Sequence, residues 1–234
     1  MFDLVYTHIV EVLPFFVIFQ LSYSYILKRF FDFNASYFLL HLIVNMINTW
    51  FTLPFVFKMF SDPLGKYFHL DDWEHLDYIY PMVIGLHTFH LKYHIKNIYN
   101  DELLHHFLTH VFWYITYINN DPMFIIPIIV MSGIPGGITY LLLFLQKFNK
   151  VSKLTEKKIS MYLNIWLRAP LCVMFSTILY IKSVQPEFVE NYWFNLIMIY
   201  FTMKNGVHFM HTITESYYEN IFKKNDENQK VKDE

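Results

Sequence analysis

Three sets of histidines carry the chemistry in this chain. His87, His90 and His94 recur at intervals of three and four; His105, His106 and His110 follow; His208 and His211 form the third set. On a helix the first spacing puts its rings on one face. Imidazole exchanges a proton near neutral pH, attacks acyl groups and ligates metals. All of these residues lie inside or at the ends of apolar segments. An ionisable group in a bilayer costs about 2.5–3.5 kcal/mol on insertion scales for the costliest types. So many together suggest a polar chamber, not a simple anchor.

Such side chains need elements to hold them. Roughly twenty apolar residues cross a hydrocarbon core. Seven segments qualify: Leu4–Leu27, Tyr37–Phe60, Tyr78–Ile95, Leu103–Asn119, Met123–Phe148, Ser160–Ile181 and Phe188–His211. Pro14, Pro54, Pro81, Pro127, Pro135 and Pro170 fall inside them. Neighbouring helices can satisfy the backbone groups that a proline frees. The expected fold is all-α, a polytopic bundle of about seven transmembrane helices.

Lysine and arginine orient the bundle. Lys28 and Arg29 mark the first connection, Lys92 and Lys96 the third, Lys147, Lys150, Lys153, Lys157 and Lys158 the fifth, and Lys223, Lys224, Lys230 and Lys232 the tail. The alternate loops are poor in base. The amino terminus is therefore expected in the lumen and the carboxyl terminus in the cytosol. Asp71–Asp77 (DDWEHLD) reads as a lumenal amphipathic cap or a solvated loop.

That orientation gives each polar residue a depth. The three histidine sets fall in the cytosolic half. So do His41, Asn45, Asn48 and Thr52 on one face of the second segment, Arg168 about two turns into the sixth, and the stripe Lys204, His208, His211 and Glu215 on the seventh. Together they predict a cavity open to the cytosol. Simpler roles compete: His41 and His110 can bond a neighbouring helix, His94 can sit among headgroups, Asp101 can cap a helix, and Lys204 can snorkel.

Composition agrees with a membrane setting. Residues are 55% hydrophobic and only 16% charged, too little polar surface to coat a water-facing globule. A net charge of −2 gives no support to nucleic-acid binding. A single cysteine, Cys172, excludes an intramolecular disulfide or a multi-cysteine metal site. No basic leader or small-residue cleavage site precedes the first apolar segment, which reads as a retained span. Three regions follow: 1–36, a first helix and its connection; 37–217, the main bundle; and 218–234, a charged tail expected to be disordered.

The segment Asn100–Asn120 (NDELLHHFLTHVFWYITYINN) resembles the TLC-domain family of ceramide synthases, TRAM translocation proteins and other lipid-related membrane proteins. Asp101 stands four residues before His105, the His105–His106 pair follows, and Thr109 comes three after His106. A later Asn164-x-x-x-Arg168 also looks like family spacing. The likeness covers approximately Tyr37–Tyr217. It implies lipid metabolism or homeostasis in the endoplasmic reticulum, with acyl-CoA as cosubstrate and no metal. By that resemblance His105 and His106 are the catalytic pair and Asp101 an orienting acid. His87, His90, Arg168, Lys204, His208 and His211 are the substrate-binding candidates. A membrane lipid or long-chain amphiphile is the expected ligand; a homodimer and a cytosolic tail partner are the partner candidates. The chain departs from ceramide synthases at SGIPGG (Ser132–Gly137), where they carry histidine and aspartate on a span. Here the glycines and Pro135 suggest a kink.

Three other readings stand beside acyl transfer to a sphingoid-like amine. His90-x-x-x-His94, His105–His106 and His208-x-x-His211 could supply imidazoles to iron in a lipid hydroxylase or desaturase. LHTFH (Leu86–His90) and HTITESYY (His211–Tyr218) echo elongase boxes, but His-x-x-His-His is absent. A non-catalytic lipid sensor or trafficking protein is the last.

Overall fold

The computed structural model describes residues 2–63, 76–94, 103, 106–111, 129–185 and 192–233, and no strand occurs among them. Among the described residues the longer helices are α1 (Phe2–Leu21), α2 (Phe33–Ser61), α3 (Leu76–His94), α4 (Ile134–Lys147), α5 (Lys153–Leu163), α6 (Ala169–Ser183) and α7 (Tyr192–Asp233). Among the described residues three stretches are long and apolar enough to cross a membrane: Ile9–Arg29, Phe33–Lys58 and Lys153–Ser183. The chain divides into two compact units, Met1–Phe60 with Gly65–Ile126, and Ser61–Leu64 with Pro127–Glu234.

In the first unit, α1 continues through a π-helical turn, Ser22–Ile26, and a 3₁₀ turn, Leu27–Arg29. Asp32 then caps α2: its Oδ1 accepts from the Ala35 amide at 2.7 Å. α1 and α3 run parallel, Phe15 beside Gly85 and Gln20 beside Tyr93 and Lys92. Gly85 permits that approach, since a Cβ there would stand 2.7 Å from the Phe15 Cβ. α2 runs antiparallel to α3, with Phe33 against Tyr93 and Tyr37 against His90. The core gathers Val44, Phe55, Ile79, Leu86 and Phe89.

The second unit begins with a π-helical turn, Ile129–Gly133. It leads into α4, with Pro135 near the helix start, where its missing N–H costs little. The interruption falls at the glycine–proline run. α4 ends in a Schellman arrangement: Asn149 takes φ 55°, its amide reaches Gln146 O at 3.0 Å, and the Lys150 amide reaches Leu145 O at 3.0 Å. Ser152 then caps α5 through the Thr155 amide at 3.1 Å. α5 therefore starts at Lys153, ahead of the Ser160 start expected from the sequence. The rod α5–α6 passes through a third π-helical turn, Asn164–Arg168. α7 packs antiparallel on α6: Ser176 Oγ donates to Ile199 O at 3.4 Å, Gly206 meets Cys172, and Phe209 lies under Arg168. α7 runs on through Asp233, over residues expected to be unstructured. Lys, Glu and Gln there are good helix formers, and extending a helix needs no new nucleus.

Candidate functional site

The first unit assembles an imidazole cluster from three places on the chain. α2 contributes Tyr37 and His41, α3 contributes His87, Thr88 and His90, and the helical stretch 106–111 contributes His106 and His110. The three-and-four spacing of α3 turns His87 and His90 to one side, and the antiparallel α2 brings Tyr37 and His41 to meet them. His41 and His90 stack with ring centroids 4.1 Å apart and planes 20° apart. Tyr37 lies 4.3 Å from each of them. His41, His90 and His106 are buried.

Hydrogen bonds fix several proton positions. His41 Nδ1 lies 3.0 Å from the Tyr37 carbonyl, which only accepts, so Nδ1 carries the hydrogen. His110 Nδ1 likewise donates to the His106 carbonyl at 2.7 Å. His87 and His106 meet Nδ1 to Nδ1 at 2.8 Å. One nitrogen there donates and the other offers a lone pair, so the contact needs one shared hydrogen. Thr88 Oγ1 donates to Ile84 O at 2.8 Å and lies 3.2 Å from His110 Nε2. Below the cluster, α2 continues as a buried polar stripe of Asn45, Asn48 and Thr52. Thr52 donates to the Asn48 carbonyl. Asn45 Nδ2 and both amide atoms of Asn48 find no hydrogen-bond partner among the described residues.

Of the expected site residues, His87, His90 and His106 come together. His105 and Asp101 lie outside the described residues, as do Asp71–His75 of the expected lumenal cap; the side chain of His94 is likewise undescribed. Arg168 belongs to the second unit, buried and 4.7 Å above the Phe209 ring. Lys204, His208 and His211 lie exposed along α7, where His211 Nδ1 stands 3.7 Å from Glu215. Among the described residues no three His, Cys, Asp or Glu side chains are grouped to hold a metal.

Two features went unnoticed in the sequence. Tyr37 is one of eighteen tyrosines, and nothing local marks it as the one facing imidazoles. The second unit carries a polar file at every fourth position: Glu156, Ser160, Asn164, Arg168, Cys172 and Ser176, all buried. That periodicity is present in the sequence, but its first turns coincide with the lysines that mark a connection. No family model, curated protein or solved structure matches the chain.

Proposed function

We propose that the chain is a multi-pass membrane protein whose imidazole cluster moves protons during transfer of an acyl group from acyl-CoA to a long-chain amine, as the TLC-like segment suggests. The observation that carries this is the His87–His106 contact at 2.8 Å. A substrate amine attacking a thioester must lose a proton, and the leaving thiolate must gain one. Two imidazoles sharing one hydrogen can take up the first and return the second. Unmet amide groups of Asn45 and Asn48 supply polar contacts for a headgroup beside the rings.

The proposed topology is seven spans in the endoplasmic reticulum, with the amino terminus lumenal and the tail cytosolic. Parallel α1 and α3 with antiparallel α2 agree with successive crossings. In the most apolar 18 residues of Ile9–Arg29 only 11% are buried, which suits contact with lipid tails.

Purified full-length protein, labelled acyl-CoA and a long-chain amine provide the test. Wild type is expected to form amide, and His87→Ala or His106→Ala to lose about 100-fold or more of that rate. The double variant should be little worse than either single, because the two rings act as a unit. No amide from wild type, or unchanged rates in both variants, would remove the enzymatic reading and leave a lipid-binding protein.

A further inference from the structure

The second unit holds a buried cation, Arg168, with no carboxylate at ion-pair distance among the described residues. Arg168 is 8% exposed and sits where the rod α5–α6 crosses α7. Arginine keeps its charge in proteins. Its guanidinium stacks on Phe209 at 4.7 Å, which returns only part of the lost hydration. Its Nε finds no acceptor, and no carboxylate lies within ion-pair distance among the described residues. Glu156, the buried carboxylate of the same file, instead accepts from Ser160 at 3.0 Å and lies 3.7 Å from Lys157. It is also twelve residues away, about 18 Å along a helix.

A buried charge left unpaired is among the costliest arrangements in a protein. Here the surroundings are also built for polar contact. Asn164 is buried one turn before Arg168, with Nδ2 donating to Ser160 O at 2.7 Å and Oδ1 unmet among the described residues. Farther along α7, between its Ile199 and Gly206 contacts with α6, Asn205 Oδ1 and the buried Thr202 Oγ1 are also unmet among the described residues. A hydroxyl or a rotated amide can donate to an incoming oxygen. The same rod is apolar enough to cross a membrane, and Trp166 and Val173 beside the file lie exposed.

We infer that Arg168 is the receptor for the oxyanion headgroup of a membrane amphiphile, a carboxylate or a phosphate carried on an apolar tail. Guanidinium matches either group with paired N–H donors. The site stands whether or not the imidazole cluster of the other unit is catalytic.

The test uses delipidated full-length protein in detergent, with native mass spectrometry and thermal unfolding as readouts. The probes are oleate, oleoyl lysophosphatidate, oleyl alcohol and inorganic phosphate. Oleate or oleoyl lysophosphatidate is expected to bind and to raise Tm, and which of them does so identifies the headgroup. Oleyl alcohol and inorganic phosphate should bind at least tenfold more weakly. Arg168→Met should lose the binding at least tenfold, while Arg168→Lys keeps part of it. Equal binding of oleyl alcohol, equal binding of inorganic phosphate, or undiminished binding by Arg168→Met would overturn the inference. Should Arg168→Met fail to fold, the comparison of oleate and lysophosphatidate with oleyl alcohol on wild type decides alone. His106→Ala should keep the binding, which separates this site from the proposed acyl transfer.

Discussion

Asn48 shows how a single side chain can be out of balance with its surroundings. It is 1% exposed, and neither amide atom has a partner among the described residues. Leaving a buried polar group unmet costs about 1–3 kcal/mol. Asn48→Leu, of similar volume, should therefore raise the stability of the substrate-free protein by about 1–2 kcal/mol, read as a higher Tm in detergent. The same change should weaken substrate binding, if the amide serves the headgroup proposed to lie beside His41 and His90. A lower Tm would show that Asn48 is already satisfied, and would detach it from the site. Thr88 gives a complementary case. Thr88→Val removes the hydroxyl between Ile84 O and His110 Nε2 with little change of volume. It should slow amide formation severalfold with a small effect on Tm. Apolar surroundings made the histidines legible in the sequence: an imidazole in an apolar segment is unusual enough to stand out. Tyr37 was not legible, because an aromatic near a span end is ordinary and only its ring's close approach to His41 and His90 sets it apart.

Elements depend on contacts that the sequence marks unevenly. Gly85 looks like any glycine in an apolar run, yet a Cβ there would come within 2.7 Å of Phe15 Cβ and 3.0 Å of the Phe16 backbone nitrogen. Backbone cannot swing aside as a side chain can. Gly85→Val should lower stability by about 1–3 kcal/mol, measured by thermal unfolding, through forced separation of α1 from α3. The second unit has its own close approach, Gly206 against Cys172. Apolar runs mark the three stretches Ile9–Arg29, Phe33–Lys58 and Lys153–Ser183, and Pro14, Pro54, Pro81 and Pro170 lie within helices, whereas Pro127 lies outside the described residues. Ends were harder. The apolar runs leave a lysine-rich connection between Phe148 and Ser160, whereas the turn is confined to the few residues between the Asn149 cap and Ser152. A lone asparagine and serine carry that information, and lysines on a helix surface look the same as lysines in a loop. Ser152→Ala should cost about 0.5–2 kcal/mol by exposing the Thr155 amide.

At the scale of the whole molecule, the question is which end of each rod meets which water. Lys153–Ser183 spans 31 residues, about 46 Å of helix, against a hydrocarbon core of about 30 Å. Some of it must stand in headgroups or beyond. The lysine-rich turn between α4 and α5 is the natural end to do so, since Lys150, Lys153 and Lys158 are exposed and basic residues favour the cytosolic side. α7 is longer still, 42 residues, and its charged end can project on that same side. On the proposed topology the connection after Ser183 faces the lumen. Cys172 is the sole cysteine and is buried, so introduced cysteines can be labelled over a low background. In sealed microsomes, Lys150→Cys and Lys232→Cys should react with a membrane-impermeant maleimide from outside, and Gln185→Cys only after permeabilisation. Reaction of Gln185→Cys in intact vesicles would place both ends of the α5–α6 rod on one side. The lysine asymmetry would then have misled, and the depth assigned to every histidine would have to be withdrawn with it.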